Sequence, residues 1–538
     1  MVFARRSTTL LAAIIASCAM VLSLTACTSD NKTVVDGQTT VTSNSAGGVA
    51  VFTPSDGITL NQQMPLNKWA KLVPDLTKAL VDAGFKKGDI DHTTSDSLDK
   101  QSRAIQDFVV DHLSNNTTDD SGIAIAPDNM TLLVAPVVEA DASTRQYGDY
   151  VSQNLSTNDV TDEGATSDGE SSEDDSSNTE SDSTASDEQA QAVDRLVSSL
   201  KLAKESGMHV VLLGNSIEGY KPDAFVKFSD AQTIGKLQAE KMVSKLKLDK
   251  ASKDNPKYIE VLLPYTAVDE KGNANDSTFA QEAFRGIWQV LGSYYQKGVV
   301  ESPSGTLDGK STENDWQAVA YDAAKGGSTA KVLDKRLAKT DGQSTLTRID
   351  GIITMNDYIA SEVVKELDDL GYTGSAADIN PQITISGIVG NITGKKDLSR
   401  DAVPDPIKSP ENDNANDSSS SDDDADEDTS ASDKDRDSQW PLVTGYGAYV
   451  SNIPSIVNGK QWMTGMEDRQ TIATDIAQAC AKLNKDEALN SMPSIRNSEV
   501  GGVKKIPTIS EPLLAVSASN LKSALIDPGY ISLADAGL

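Results

Sequence analysis

The sequence predicts a doubly wound α/β protein with two sheets. Short, near-continuous apolar runs of the kind buried on both faces of a parallel sheet recur along the chain, and amphipathic helices alternate with them. These strand-then-helix units repeat over most of the 538 residues, more than one sheet needs.

In chain order the predicted strands are Gly48–Thr53, Leu132–Pro136, His209–Leu213, Tyr258–Leu263, Gly351–Thr354 and Ile383–Gly387, each an apolar run too short for a buried helix. The predicted helices are Trp69–Ala83, Ser102–Leu113, Ala190–Glu205, Thr233–Leu246, Thr278–Tyr295, Ile359–Leu370 and Ile472–Leu483, all with apolar residues three and four apart. Phe284, Ile287, Trp288 and Leu291 form one stripe, which makes Trp288 a core residue. In a doubly wound sheet a ligand lies beyond the carboxyl ends of the strands, so the post-strand loops hold the candidate site.

The chain opens on Arg5 and Arg6, an apolar run from Leu10 to Leu24, and Leu24-Thr25-Ala26-Cys27. This is the pattern of a secretory leader over residues 1–26, and the last tetrapeptide resembles the lipobox of bacterial lipoproteins, whose Cys is diacylated and becomes the first mature residue. Cys27 is the expected lipid attachment site, with residues 27–47 a flexible tether. Losing Cys18 and acylating Cys27 leaves Cys480 as the one free thiol, so no intrachain disulfide is expected. His92, His112 and His209 offer no metal-ligand spacing.

Net charge is −32, from 80 Asp and Glu against 48 Lys and Arg, which opposes nucleic-acid binding and polybasic membrane docking. Residues 156–190 carry twelve acidic residues and residues 411–433 ten more, with no Lys or Arg in either. Without those 22 carboxylates and without Arg5 and Arg6 the charge is −12. Both tracts, the second within an insert over 405–438, lack the apolar content to offset ordering entropy and are expected to be disordered. Asp422, Asp424 and Asp426 have a calcium-loop spacing, but Glu427 stands where the sharp turn needs Gly, so a solvated spacer is the expectation.

Seven motifs then occur in a fixed order: Met64-Pro-Leu-Asn-Lys-Trp69, Ala203-Lys-Glu-Ser-Gly207, Lys227-Phe-Ser-Asp230 with Ile234-Gly-Lys-Leu-Gln238, Phe284-Arg-Gly-Ile-Trp288, Thr354-Met-Asn-Asp357, Leu442-Val-Thr-Gly445 and Ile506-Pro-Thr-Ile-Ser-Glu-Pro512. Collinear over roughly residues 48–535, they resemble the sugar-binding type I periplasmic binding proteins of ABC importers, in the xylose and multiple-sugar branch. The resemblance implies two Rossmann-like lobes joined by three crossovers. Residues 49–228 and 465–510 would form the N-terminal lobe, and residues 229–464 and 511–538 the C-terminal lobe. Such a hinge closes around a small ligand, and a membrane permease reads the closure.

A bound sugar needs an aromatic plane and paired hydroxyl partners. The resemblance places Trp69 and Trp316 as aromatic candidates, each equally readable as core, and Asn356 and Asp357 as the family's Asn-Asp pair, with helix capping the alternative for Asn356. Four anchors depart from the family. Gly214-Asn215-Ser216 replaces Asp-Arg, Ser229-Asp230-Ala231 replaces Asp-Asn-Glu, Gly445-Tyr446-Gly447-Ala448 replaces Gly-Gln-Asp-Ala, and Glu467 stands where a basic residue is usual. Asn215, Asp230, Tyr446 and Glu467 are therefore candidates for a different site in the same cleft.

No Gly-x-Ser-x-Gly, phosphate-cradling loop or His-Glu-x-x-His motif is present, so no enzyme is expected. The expected protein is a monomeric, lipid-anchored solute-binding protein on the outer face of the bacterial membrane. It would use no cofactor or metal, touch the membrane through its N-terminal lipid only, and deliver a small sugar-like solute to an ABC permease. The alternatives are a non-transporting surface scaffold holding a protein or envelope partner, and a cleft hydrolase dependent on Asp357.

Overall fold

A computed structural model of the chain describes residues 32–35, 38–41, 46–55, 65–115, 125–138, 144–156, 180–268, 275–323, 327–338, 346–377 and 440–538. The leader, Cys27, the strand expected at 383–387, the insert at 405–438 with its calcium-like spacing, and most of the first acidic tract lie outside the described residues. The chain divides into a small N-terminal unit ending at Asn44 and a large unit from Ser45 to Leu538. In the small unit, within the expected tether, β1 (Lys32–Val35) and β2 (Gln38–Val41) pair antiparallel. Val and Thr dominate both runs, which favours strands.

Two mostly parallel sheets form the two lobes of the large unit. The first has the order β17-β18-β9-β7-β5-β3-β4, from β3 (Gly48–Pro54), β4 (Ile90–Ser95), β5 (Met130–Val134), β7 (His209–Leu213), β9 (Ala224–Lys227), β17 (Ile495–Val500) and β18 (Val503–Ser510). The second has the order β12-β10-β14-β15-β16-β19, from β10 (Lys257–Val261), β12 (Val300–Glu301), β14 (Gly351–Ile353), β15 (Leu442–Tyr446), β16 (Met463–Met466) and β19 (Leu514–Ser517). Among the described residues, only the β17·β18 and β16·β19 pairs of these sheets run antiparallel. Two parallel pairs of two-residue strands, β6 (Asn154–Leu155) with β8 (Ser216–Ile217) and β11 (Leu263–Pro264) with β13 (Ala320–Tyr321), lie beside them.

Alternation along the strands explains the layering. In β3, Val49 and Val51 face α1 (Trp69–Asp82) and α10 (Arg469–Leu483), while Ala50 and Phe52 face α2 (Leu98–Asn115) and α3 (Glu180–Glu205). The second sheet repeats the plan. Ile259, Val261 and Ile353 pack against α4 (Ala231–Lys245) and α5 (Thr278–Gln296), and Ile352 and Val443 against α7 (Ser328–Arg336) and α8 (Asp357–Leu370). The short helices α6 (Trp316–Val319) and α9 (Ile453–Val457) complete the second lobe.

The chain passes between the sheets three times: after β9, after β16 and after β18. Helix α3 begins at Glu180, ten residues before the predicted start, so the end of the tract expected to be disordered is helical.

Candidate functional site

The loops after β3, β5 and β9 meet the ends of β14 and β15 and the loops that follow them. The latter two are strained. Met355 has φ 69° while fully buried, and Gly447 and Ala448 follow at φ 113° and 50°. A non-glycine residue in the left-handed region costs about 1–2 kcal/mol, and such costs gather where a loop must present particular groups.

Asn356 follows Met355 directly, and its two amide atoms divide the work. Oδ1 accepts from Ile359 N at 2.9 Å and so caps α8, while Nδ2 donates across to the Gln146 side chain, Oε1, at 3.1 Å. Asp357 has a different role. Its carboxylate, fully buried, accepts from Tyr449 N at 2.9 Å, Thr464 Oγ1 at 2.8 Å and Gln461 Nε2 at 2.6 Å, all within its own lobe. Burial pushes the carboxyl up to about 6 against the pull of those hydrogen bonds. A Cβ on Gly445 would lie 2.1 Å from Asp357 Oδ1, so only glycine leaves room for this arrangement.

Tyr446, the last residue of β15, meets Glu467 beside the crossovers. Glu467 Oε1 accepts from Ser229 N at 2.7 Å and from the Tyr446 hydroxyl at 3.2 Å, and Ser229 Oγ lies 2.5 Å from that hydroxyl. Ser229 stands after β9 and Glu467 after β16, so the cluster joins two of the three crossovers. Burial raises the Glu467 carboxyl, and burial followed by the Glu467 charge raises the Tyr446 phenol well above its usual range. Asp230 lies near this cluster, and its charge helps raise Glu467, but its hydrogen bonds go elsewhere. It caps α4 through Thr233 N at 2.7 Å and pairs with Lys227 at 2.9 Å. Burial works to raise its carboxyl, but the contacts to Lys227 and Thr233 outweigh it and hold the group low.

Between the lobes runs a segment that the sequence reading did not single out, residues 144–155. Its backbone at Gln146 accepts from the Tyr449 hydroxyl at 2.7 Å. Tyr147 lies 4.7 Å from the Phe279 ring and 6.3 Å from Tyr446, within the core of the C-terminal lobe. Asp149 accepts from Lys68 Nζ at 2.7 Å and from Trp69 N at 3.0 Å, which satisfies a free N–H at the start of α1. Tyr150 stacks on Phe228 and meets Trp69 edge-on in the core of the N-terminal lobe. Asn215 ties the segment's end to its lobe, accepting from Gln153 N at 3.0 Å and donating to Pro136 O at 2.9 Å.

The aromatic candidates are mostly enclosed. Trp69 is 2% exposed between Tyr150 and Phe228, and Trp316 is 8% exposed, edge-on to Tyr265 at 5.1 Å. Asn67, just before α1, was missed by the sequence reading. It is buried, and its Nδ2 finds no partner among the described residues. Among the described residues no group of three His, Cys, Asp or Glu is placed to hold a metal, and no helix is long and apolar enough to cross a membrane.

No family model matches the chain, and no curated protein matches it in sequence. Solved structures are similar in fold. An ABC transporter solute-binding protein from Clostridium phytofermentans with bound β-D-glucose aligns at TM-score 0.45 and 18% identity, covering 91% of this chain and 99% of its own. A carbohydrate transporter solute-binding protein from Chloroflexus aurantiacus in complex with D-glucose aligns at TM-score 0.43 and 18% identity, covering 92% and 98%. A periplasmic ribose ABC transporter protein from Conexibacter woesei aligns at TM-score 0.41 and 12% identity, covering 90% and 96%.

Proposed function

We propose that the chain is an extracytoplasmic solute-binding protein of an ABC importer, anchored through a lipid on Cys27, which captures a small sugar-like solute between its lobes and delivers it to a permease. The observation that carries the reading is Asn356. Capping α8 uses its oxygen, and the remaining amide donor is aimed from one lobe toward the other beside a strained residue. The Asn67 amide adds a second buried donor at the start of α1. Donors held by both lobes at the carboxyl ends of parallel strands are what a hydroxyl-rich ligand needs.

The test is a thermal-shift and calorimetric screen of pentoses, hexoses and short oligosaccharides. At least one should stabilise the protein, and Asn356→Ser, which keeps a capping oxygen but removes the amide donor, should weaken its binding by about 1–3 kcal/mol. A screen with no response rejects the importer reading. Anchoring is tested separately: Cys27→Ser should release the protein from the membrane fraction.

A second reading, a non-transporting scaffold holding a protein or envelope partner, is favoured by how fully the facing groups satisfy one another. Ser229, Tyr446 and Glu467 are mutually paired, and Gln146 occupies the Asn356 donor. Affinity capture that returns an envelope protein and no permease subunit would support it.

A further inference from the structure

We propose that residues 146–150 are a resident occupant of the cleft: they hold the lobes together when no solute is bound, and they must withdraw before a solute can reach Asn356 and the start of α1. The occupancy itself is independent of what the cleft takes. Its competition with a solute rests on the reading above.

Five consecutive residues contact first the C-terminal lobe and then the N-terminal lobe. Gln146 meets Asn356 and Tyr449 through its side chain and backbone, and Tyr147 enters the C-terminal core. Asp149 and Tyr150 then take the N-terminal lobe, at Lys68 and Trp69 and between Trp69 and Phe228. The groups they engage are ones a ligand would use: an ammonium, a backbone N–H at a helix start and an amide donor across the cleft.

The local backbone is specific to this placement. Gly148 has φ 94°, and a Cβ there would lie 2.6 Å from Asn67 O, so the segment presses against the loop before α1. Beyond it, Asn215 and the β6·β8 pairing fasten the chain to the N-terminal lobe. The occupant therefore travels with that lobe, and opening breaks its contacts with the C-terminal lobe together with those of Leu66, whose N–H donates to Gly447 O at 2.9 Å.

The experiment uses the full chain with Cys18→Ser and Cys27→Ser, spin-labelled at Lys78→Cys on α1 and Lys365→Cys on α8. Both lysines are exposed, and Cys480 is buried and will not label. Pulsed dipolar spectroscopy without sugar should give one short inter-lobe distance. Adding Gln146→Ala with Tyr449→Phe, which deletes both hydrogen bonds between Gln146 and the C-terminal lobe and leaves Tyr147 alone to hold it there, should add a longer population in which Tyr147 has withdrawn. Gly148→Ala displaces the segment by another route and should do the same, so a folding failure of one variant leaves the other to decide.

Titration of D-glucose and D-xylose forms the second arm. If the occupied state is 90–99% populated, removing the occupant should tighten sugar binding about 10- to 100-fold. A sugar-free wild type that is already open, with distances unmoved by either variant, overturns the proposal. Equal sugar affinity in wild type and variants overturns it as well. Should the variants open and neither sugar nor any other from the screen bind, the occupant stands and the solute-binding reading falls. With an open wild type that closes on sugar, the occupant falls and the solute-binding reading stands.

Discussion

Two polar clusters join the lobes, and they differ in what they demand of the molecule. Ser229 and Glu467 sit on the crossovers, where the chain must pass whether the lobes are open or shut, and Tyr446 reaches them from the end of β15. Gln146, Asn356 and Tyr449 meet across the cleft and touch only because the lobes are shut. Similar bond lengths thus mark a permanent support in one place and a breakable, half-buried latch in the other. Position relative to the crossovers, rather than bond length, separates the two roles.

Variants in each region should separate them experimentally, and Asp357 sets the scale because its contacts stay in one lobe. Asp357→Ala leaves three buried donors without their acceptor, and each costs about 1–3 kcal/mol. Denaturant unfolding should show a loss of about 3 kcal/mol or more with no change in lobe separation. A change in separation would mean that Asp357 belongs to the latch.

The same carboxyl makes a pH prediction. An acid raised to about 6 in the fold favours its protonated form there, so the stability tied to that proton is complete below about pH 4 and is lost as pH rises through 6. About two pKa units correspond to about 3 kcal/mol. The stability of wild type relative to Asp357→Asn should therefore fall by about that amount between pH 4 and pH 7. A flat difference would show that burial does not raise the group.

On the crossovers, Glu467→Ala should cost about 1–3 kcal/mol by stranding Ser229 N, since the Tyr446 hydroxyl keeps Ser229 Oγ, while Glu467→Gln keeps an acceptor for both and should stay within about 1 kcal/mol of wild type. Equal losses would show that the charge matters rather than the acceptor. The smallest effect belongs to the latch. Tyr449→Phe removes one hydrogen bond to Gln146 and should lower the sugar-free melting stability by about 0.5–1.5 kcal/mol, with the lobes more often open.

The lobes were legible because their strands are apolar on both faces and their helices on one. Val49 and Val51 against Ala50 and Phe52 is a pattern that composition alone displays. Strand β4 escaped because most of its Ile-Asp-His-Thr-Thr-Ser run faces solvent, where no apolar periodicity is required. Neighbouring site residues parted ways for a reason no single position encodes. Asn356 and Asp357 are adjacent in a motif, yet one reaches across the cleft and the other binds loops of its own lobe, a choice made by Gly445, Gln461 and Thr464 far along the chain. Segment 144–155 has no helix or strand period of its own. Its one signal was Tyr147-Gly-Asp-Tyr150, aromatic residues around a glycine just before a polar tract.

That segment has a thermodynamic consequence of its own. If the cleft takes a solute as proposed, that solute competes with the segment as with a tethered ligand, whose effective concentration is set by the chain that carries it, of about millimolar order for short tethers. Dialysis, dilution and refolding, the ordinary ways of emptying a binding protein, leave that concentration unchanged. On the proposed solute-binding function, apparent solute affinities would therefore be weaker than the intrinsic ones by a constant factor that belongs to the sequence and not to the preparation.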